Sequence, residues 1–124
     1  MKVIAFNGSA RKDGNTAILI REVIGELERN GIETELIQLS GQKIAGCIAC
    51  YKCAERKNKR CAVEGDILNY CLEKMIEADG IIIGSPTYFA DITAETKALI
   101  DRSGLVARQN DDLFRRKLGA FVFG

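Results

Sequence analysis

The run GIIIGS, from Gly80 to Ser85, offers no polar face. A strand points successive side chains to opposite sides, so a run that is apolar on both sides suits the middle of a parallel sheet that is covered above and below. KVIAFNGS, from Lys2, has the same character and is closed by the turn-prone pair Asn7 and Gly8. ETELIQLS, from Glu33, reads as a second strand and LGAFVFG, from Leu118 to Gly124, as a fourth. Between these runs the period changes. Ala17, Ile20, Val23, Ile24 and Leu27 make one helical stripe, with Asn15 and Thr16 as candidate caps and Asn30-Gly31 as the stop signal. Leu68, Cys71, Leu72, Met75 and Ile76 make a second stripe, and a third helix is expected from Thr93 to about Gly104. Such alternation implies right-handed crossovers and an α/β fold: a doubly wound parallel sheet with helices on both faces. Ligands of such sheets bind beyond the carboxyl ends of the strands, at the switch point between the first and third strands when the order is 2-1-3-4.

The three loops that follow the first three strands are therefore expected to converge on one edge. In GSARKDGNT a strand passes into a helix, so free backbone N–H groups and the positive end of a helix dipole suit an anion. Ser9, Asn15 and Thr16 add neutral donors, and Arg11 adds charge. No Gly-Lys-Ser/Thr follows and G-x-G-x-x-G is absent, which argues for one phosphomonoester rather than a nucleotide triphosphate or a dinucleotide. In SPTYFADIT, Pro86 stiffens the exit from the third strand, while Tyr88 and Phe89 stand where a planar ring would meet them. Taken alone, the first loop reads equally as a capped solvated turn, and a Tyr-Phe pair is more often ordinary packing than a cofactor contact. A phosphate at one and a flat apolar ring at the other describe FMN.

The middle loop holds four of the five cysteines. Composition decides how to read them. The 124 residues are 47% apolar and 28% charged, enough for one globular domain spanning 1–124, and no leader or membrane-length apolar run is evident, so a cytoplasmic location is expected. A net charge of +1 points to neither nucleic acid nor membrane as a partner. In a reducing compartment clustered thiols are metal ligands or redox groups before they are disulfides. Histidine is absent, which removes Ser-His-Asp and Cys-His catalysis and every histidine-containing zinc or Rieske site. Cys47, Cys50, Cys53 and Cys61 follow C-x2-C-x2-C-x7-C. Two x2 gaps aim three thiolates from one tight loop and Cys61 returns as the fourth, which suits a cubane cluster. Structural zinc, usually built from two separate C-x2-C pairs, stays open, as do unmetallated thiols. Cys71 lies on an apolar helix face and is expected in the core. Arg56, Lys57, Lys59 and Arg60 read as a solvated loop, or as positive charge favouring a reduced cluster and an acidic donor.

NGSARKDGNT together with GIIIGSPTYFADITAETKALIDR resembles the NAD(P)H-dependent FMN reductase family of flavodoxin-like proteins, over essentially the whole chain. The resemblance implies that Ser9, Arg11, Asn15 and Thr16 hold the FMN phosphate and that Pro86, Thr87, Tyr88 and Phe89 line the ribityl chain and isoalloxazine. The cysteine loop, residues 46–61, resembles the compact motif of the iron-sulfur flavoproteins in that family, which implies a [4Fe-4S] cluster on Cys47, Cys50, Cys53 and Cys61 beside the FMN. NAD(P)H or a ferredoxin-like protein then becomes a candidate electron donor. The alternatives are a reductase without a cluster and a carrier or zinc-stapled FMN module without catalysis. Chains of this family continue past a fourth strand, so a C-terminally incomplete sheet lacking its fifth strand is expected, with an apolar edge that invites homo-oligomers.

Overall fold

The computed structural model describes residues 1–124 throughout. The apolar runs form four strands, β1 (Lys2–Asn7), β2 (Glu33–Gln38), β3 (Gly80–Ser85) and β4 (Leu118–Phe123). They lie in the order β2-β1-β3-β4, and every pairing is parallel, with Ala5 opposite Leu36 on one side and Ile82 on the other. Three long helices, α1 (Asn15–Arg29), α3 (Leu68–Glu77) and α4 (Ala94–Gln109), flank the sheet, and a five-residue helix, α2 (Lys52–Arg56), interrupts the cysteine loop. This is the flavodoxin-like arrangement that the alternation implies.

The two faces of the sheet are unequally filled. On one, Ile4 and Phe6 pack with Leu68, Cys71, Leu72 and Met75 of α3 and with Leu99 and Val106 of α4 in a cluster of 12 buried residues. On the other, Val3, Ala5 and Ile82 meet only Ile20 of α1 in a cluster of four, with Ile24 and Leu27 partly buried beside them. Of the other two members of the α1 stripe, Ala17 is buried and Val23 is 38% exposed. The larger core also takes in Cys53, so the middle loop is anchored on the α3–α4 side of the sheet.

Helix ends depart from expectation in two places. Asn15 and Thr16 do not cap α1: Gly14 is the N-cap residue, without a side-chain hydrogen bond, and Thr16 Oγ1 donates to the Gly124 carbonyl at 2.7 Å. The third long helix passes Gly104 and stops at Gln109. A glycine inside a helix costs only about 1 kcal/mol, and burial of Val106 and Ala107 beyond it offsets that. Cys71 is fully buried, as its helix face requires, and burial pushes its thiol up to about 12.

Candidate functional site

The first and third loops meet over the ends of β1 and β3. Ser9 is buried, its amide donates to Asn7 Oδ1 at 3.0 Å, and its hydroxyl accepts the Arg11 amide at 3.0 Å, so the strand exit is folded into a tight turn by its own side chains. Asn7 Nδ2 in turn donates to Gln38 Oε1 at 2.7 Å and ties the turn to β2. The Tyr88 hydroxyl reaches across from the third loop, accepts the Ala10 amide at 2.9 Å and lies 3.4 Å from Ser9 Oγ. Beneath this contact Thr93 Oγ1 donates to the Gly8 carbonyl at 2.7 Å and also caps α4 by accepting the Thr96 amide. Residues 39–42, the start of the middle loop, complete a polar crevice with Gly8, Ser9, Ala10 and Glu95. All three loops thus reach the expected edge, the middle one only through its first residues.

The side chains proposed for a phosphate and a ring are unevenly placed there. Ser9 and Tyr88 are together. Arg11 and Asn15 are exposed at the turn and at the first residue of α1, and the Thr16 hydroxyl proton is already given to Gly124. Pro86 is half-buried, whereas Thr87, Tyr88 and Phe89 are exposed, Phe89 at 88%. The donor set fits an anion: α1 begins without a side-chain cap, so no side chain claims its first-turn amides, and the Arg11 stem lies beside the N-cap residue Gly14. Among the engaged amides of the turn, that of Ala10 is held by a phenolic oxygen, an acceptor like a phosphate oxygen.

The cysteines lie elsewhere. Cys47, Cys50, Cys53 and Cys61 line one small cavity of about 20 Å³, whose other walls include Ile48 and Tyr51 of the loop and Arg102, Leu105 and Val106 of α4. None of the crevice residues lines it. Cys47 and Cys50 are exposed, Cys61 is half-buried and Cys53 is buried, and burial, reinforced by the nearby Cys61 and Cys50 sulfurs, raises the Cys53 thiol above its ordinary value. No three cysteine or carboxylate side chains converge as a single metal ion would need. The thiols surround a space instead of meeting at a point. The loop that carries them is bent hard: Ala49, Tyr51, Lys57 and Lys59, none of them glycine, take positive φ values of 46° to 60°. Such conformations cost roughly 1–2 kcal/mol each and persist where the surroundings impose them.

Behind the loop stands a buried ion pair that nothing in the motif announces. Asp66 closes the neck of the loop, accepting the amides of Ala45 at 3.0 Å and Leu68 at 3.1 Å. Arg102 of α4 donates Nη1 to Asp66 Oδ2 at 2.5 Å and to the Ala45 carbonyl at 2.9 Å, and Nη2 to the Val63 carbonyl at 2.9 Å and to Cys61 Sγ at 3.4 Å. Both side chains are almost wholly buried, at 1% and 3% exposure. Burial alone would raise the Asp66 carboxyl, but the Arg102 guanidinium and the two amides outweigh it and hold the group below its usual range. Of the five guanidinium N–H groups, four are used and Nε is buried without a partner. The residue that carries this idle donor lines the thiol cavity, and sulfur-rich groups are acceptors.

Half of the basic run is tethered through its side chains. Lys57 Nζ donates to the Gln109 carbonyl at the C-terminal end of α4 at 3.0 Å, and Arg60 pairs with Glu64. Arg56 and Lys59 take part in none of the ion pairs.

The geometry has relatives. An iron-sulfur flavoprotein of Methanocaldococcus jannaschii is 46% identical over 103 residues, covering 83% of this chain and 52% of its own length. Iron-sulfur flavoproteins of Archaeoglobus fulgidus and Methanosarcina thermophila are 40% and 37% identical over 98% and 97% of this chain, which spans 58% and 61% of theirs. The chain thus covers little more than half the length of these relatives. Among solved structures, a flavone reductase superposes with a TM-score of 0.72 at 20% identity, over 99% of this chain and 43% of its own. A flavodoxin from the domain Archaea does so at 0.55 and 14% identity, over 100% and 84%. At that identity they show the flavodoxin-like fold alone. The profile of the NADPH-dependent FMN reductases matches residues 1–124 from end to end, and the chain belongs to that family.

Proposed function

We propose that residues 1–124 form the cofactor-binding domain of an FMN-dependent iron-sulfur oxidoreductase, with a [4Fe-4S] cluster on Cys47, Cys50, Cys53 and Cys61 and FMN across the first and third loops. The observation that carries this reading is the ring of four thiols around one largely apolar cavity, next to a buried guanidinium with a donor to spare. A cubane asks for one thiolate at each of four separate irons, so thiols that surround a space suit it better than they suit one zinc ion, whose four sulfurs would sit about 3.8 Å apart at the usual bond length. When bound, the cluster supplies one-electron transfer and the flavin stores two electrons, with NAD(P)H or a ferredoxin-like protein as the donor.

The residues of the chain bind and orient. Ser9, Arg11, Asn15 and Thr16, the last through its amide, hold the phosphate, and Tyr88 gives up its contact with the Ala10 amide as a phosphate oxygen arrives. Pro86, Thr87 and the exposed Phe89 line the flavin. Arg56 and Lys59, free of ion pairs, attract an acidic donor by long-range charge. No side chain is assigned as acid or base, because the cofactors carry the chemistry.

The deciding experiment is anaerobic preparation followed by a visible spectrum and analysis of iron, acid-labile sulfide, zinc and flavin. Iron, sulfide and FMN are expected together, and Cys50→Ser is expected to lose iron and sulfide while still taking up FMN. Stoichiometric zinc without iron overturns the cluster. FMN without either metal turns the reading to a plain FMN reductase.

A further inference from the structure

Arg102 is the largest side chain fully inside this protein, and it is charged. Taking a guanidinium out of water costs several kcal/mol, which Asp66 and two backbone carbonyls offset. If the pair served only to close the neck of the loop, oxygen acceptors would be expected on every donor. They are not. One N–H is spent on Cys61 Sγ, a poor acceptor while it is a neutral thiol, and Nε has no acceptor at all. Both belong to the one charged residue among the 11 that line the thiol cavity. Cys61 is pinned from its backbone as well, its amide donating to Asn69 Oδ1 at 2.8 Å and its carbonyl accepting Asn69 Nδ2 at 3.0 Å.

We propose that Arg102 is a positioning residue that fixes Cys61 and raises the reduction potential of the cluster those thiols hold, with Asp66 keeping the guanidinium in place. The inference rests on the cluster reading above. Adding one electron makes a thiolate-ligated cluster more negative, and a fixed cation at hydrogen-bond distance from one of its sulfurs stabilises that product more than the oxidised form. Asp66 weakens the effect without cancelling it, because the carboxylate sits on Nη1 and the sulfur on Nη2. Arginine suits the position because it cannot lose its proton and its planar fork serves carboxylate, carbonyls and sulfur together.

The test is a reductive titration of the full chain, loaded anaerobically with iron and sulfide, using a chemical one-electron reductant and following cluster absorbance and electron paramagnetic resonance. Arg102→Gln is expected to make one-electron reduction of the cluster roughly tenfold less favourable, a downward shift of about 59 mV. Arg102→Lys keeps the charge without the fork and stays closer to the wild type. Arg102→Gln leaves Asp66 buried and unpaired, so if it does not fold, the Arg102→Gln/Asp66→Asn pair replaces it; there the potential still falls, by less than for a lone loss of the cation. Faster release of iron to a chelator accompanies each loss of the cation. A loaded wild type whose potential is unmoved in these variants overturns the inference alone. A wild type that takes up no iron or sulfide overturns the cluster reading and the inference together.

Discussion

Gly8 is where the crevice has no room left. A Cβ at this position would lie 1.8 Å from Thr96 Oγ1 and 3.0 Å from the Gly84 carbonyl oxygen, so the first loop comes as close to β3 and α4 as it does only because the residue has no side chain. That approach sets the turn in front of α1, with Arg11 as an exposed positive charge two residues after Ser9. Arg11→Ala should weaken FMN binding by about 1.5 kcal/mol, near the low end for a charged hydrogen bond because the side chain is exposed, and leave riboflavin binding unchanged. Calorimetric titration with both ligands checks this; equal losses for the two would move Arg11 away from the phosphate. Arg102 shows where reading single residues from sequence fell short. An arginine on an amphipathic helix is usually a surface charge. Yet Ala98, Leu99, Arg102, Ser103 and Val106 follow the helical spacing of one buried face, and a charge inside that stripe was the available signal.

At the scale of elements, strands and long helices were legible because each rests on a periodic apolar pattern that packing then enforces. The short helix α2 was not. Its boundaries are Tyr51 and Lys57, both in the left-handed region without being glycine, a conformation that local preference disfavours. The same limit hid the separation of the cysteines from the crevice. Sequence places the middle loop at the correct strand end, but only tertiary contacts carry its far side farther along α4, to Arg102, Leu105 and Val106. Among the elements α4 carries most of this organisation, and Thr93 begins it. Thr93→Ala removes both the cap on Thr96 and the partner of the Gly8 carbonyl, for a loss of about 2–4 kcal/mol. Urea unfolding should register that loss, and Thr93→Ser should recover most of it; a change below half a kcal/mol would show the two bonds to be dispensable.

For the molecule as a whole, the unequal faces matter. β4 is an edge strand whose Leu118, Phe121 and Phe123 are 66%, 40% and 63% exposed, with the two phenylalanine rings 4.8 Å apart. Parallel strands are ordinarily covered on both faces, so this chain is expected to self-associate through residues 118–124. Sedimentation over a concentration series should show it, and Phe121→Lys/Phe123→Lys should shift the equilibrium toward monomer; a wild type that stays monomeric throughout defeats the expectation. The internal layout is independent of that outcome. α4 holds the Gly8 carbonyl at its first turn through Thr93 and the Cys61 sulfur farther along through Arg102. At a rise of 1.5 Å per residue those two grips are about 14 Å apart along one unbroken axis. The helix is therefore a strut between the two loops. If the cluster and the flavin occupy the two loops as proposed, the spacing between their anchors is a fixed dimension of the fold, set by counting residues.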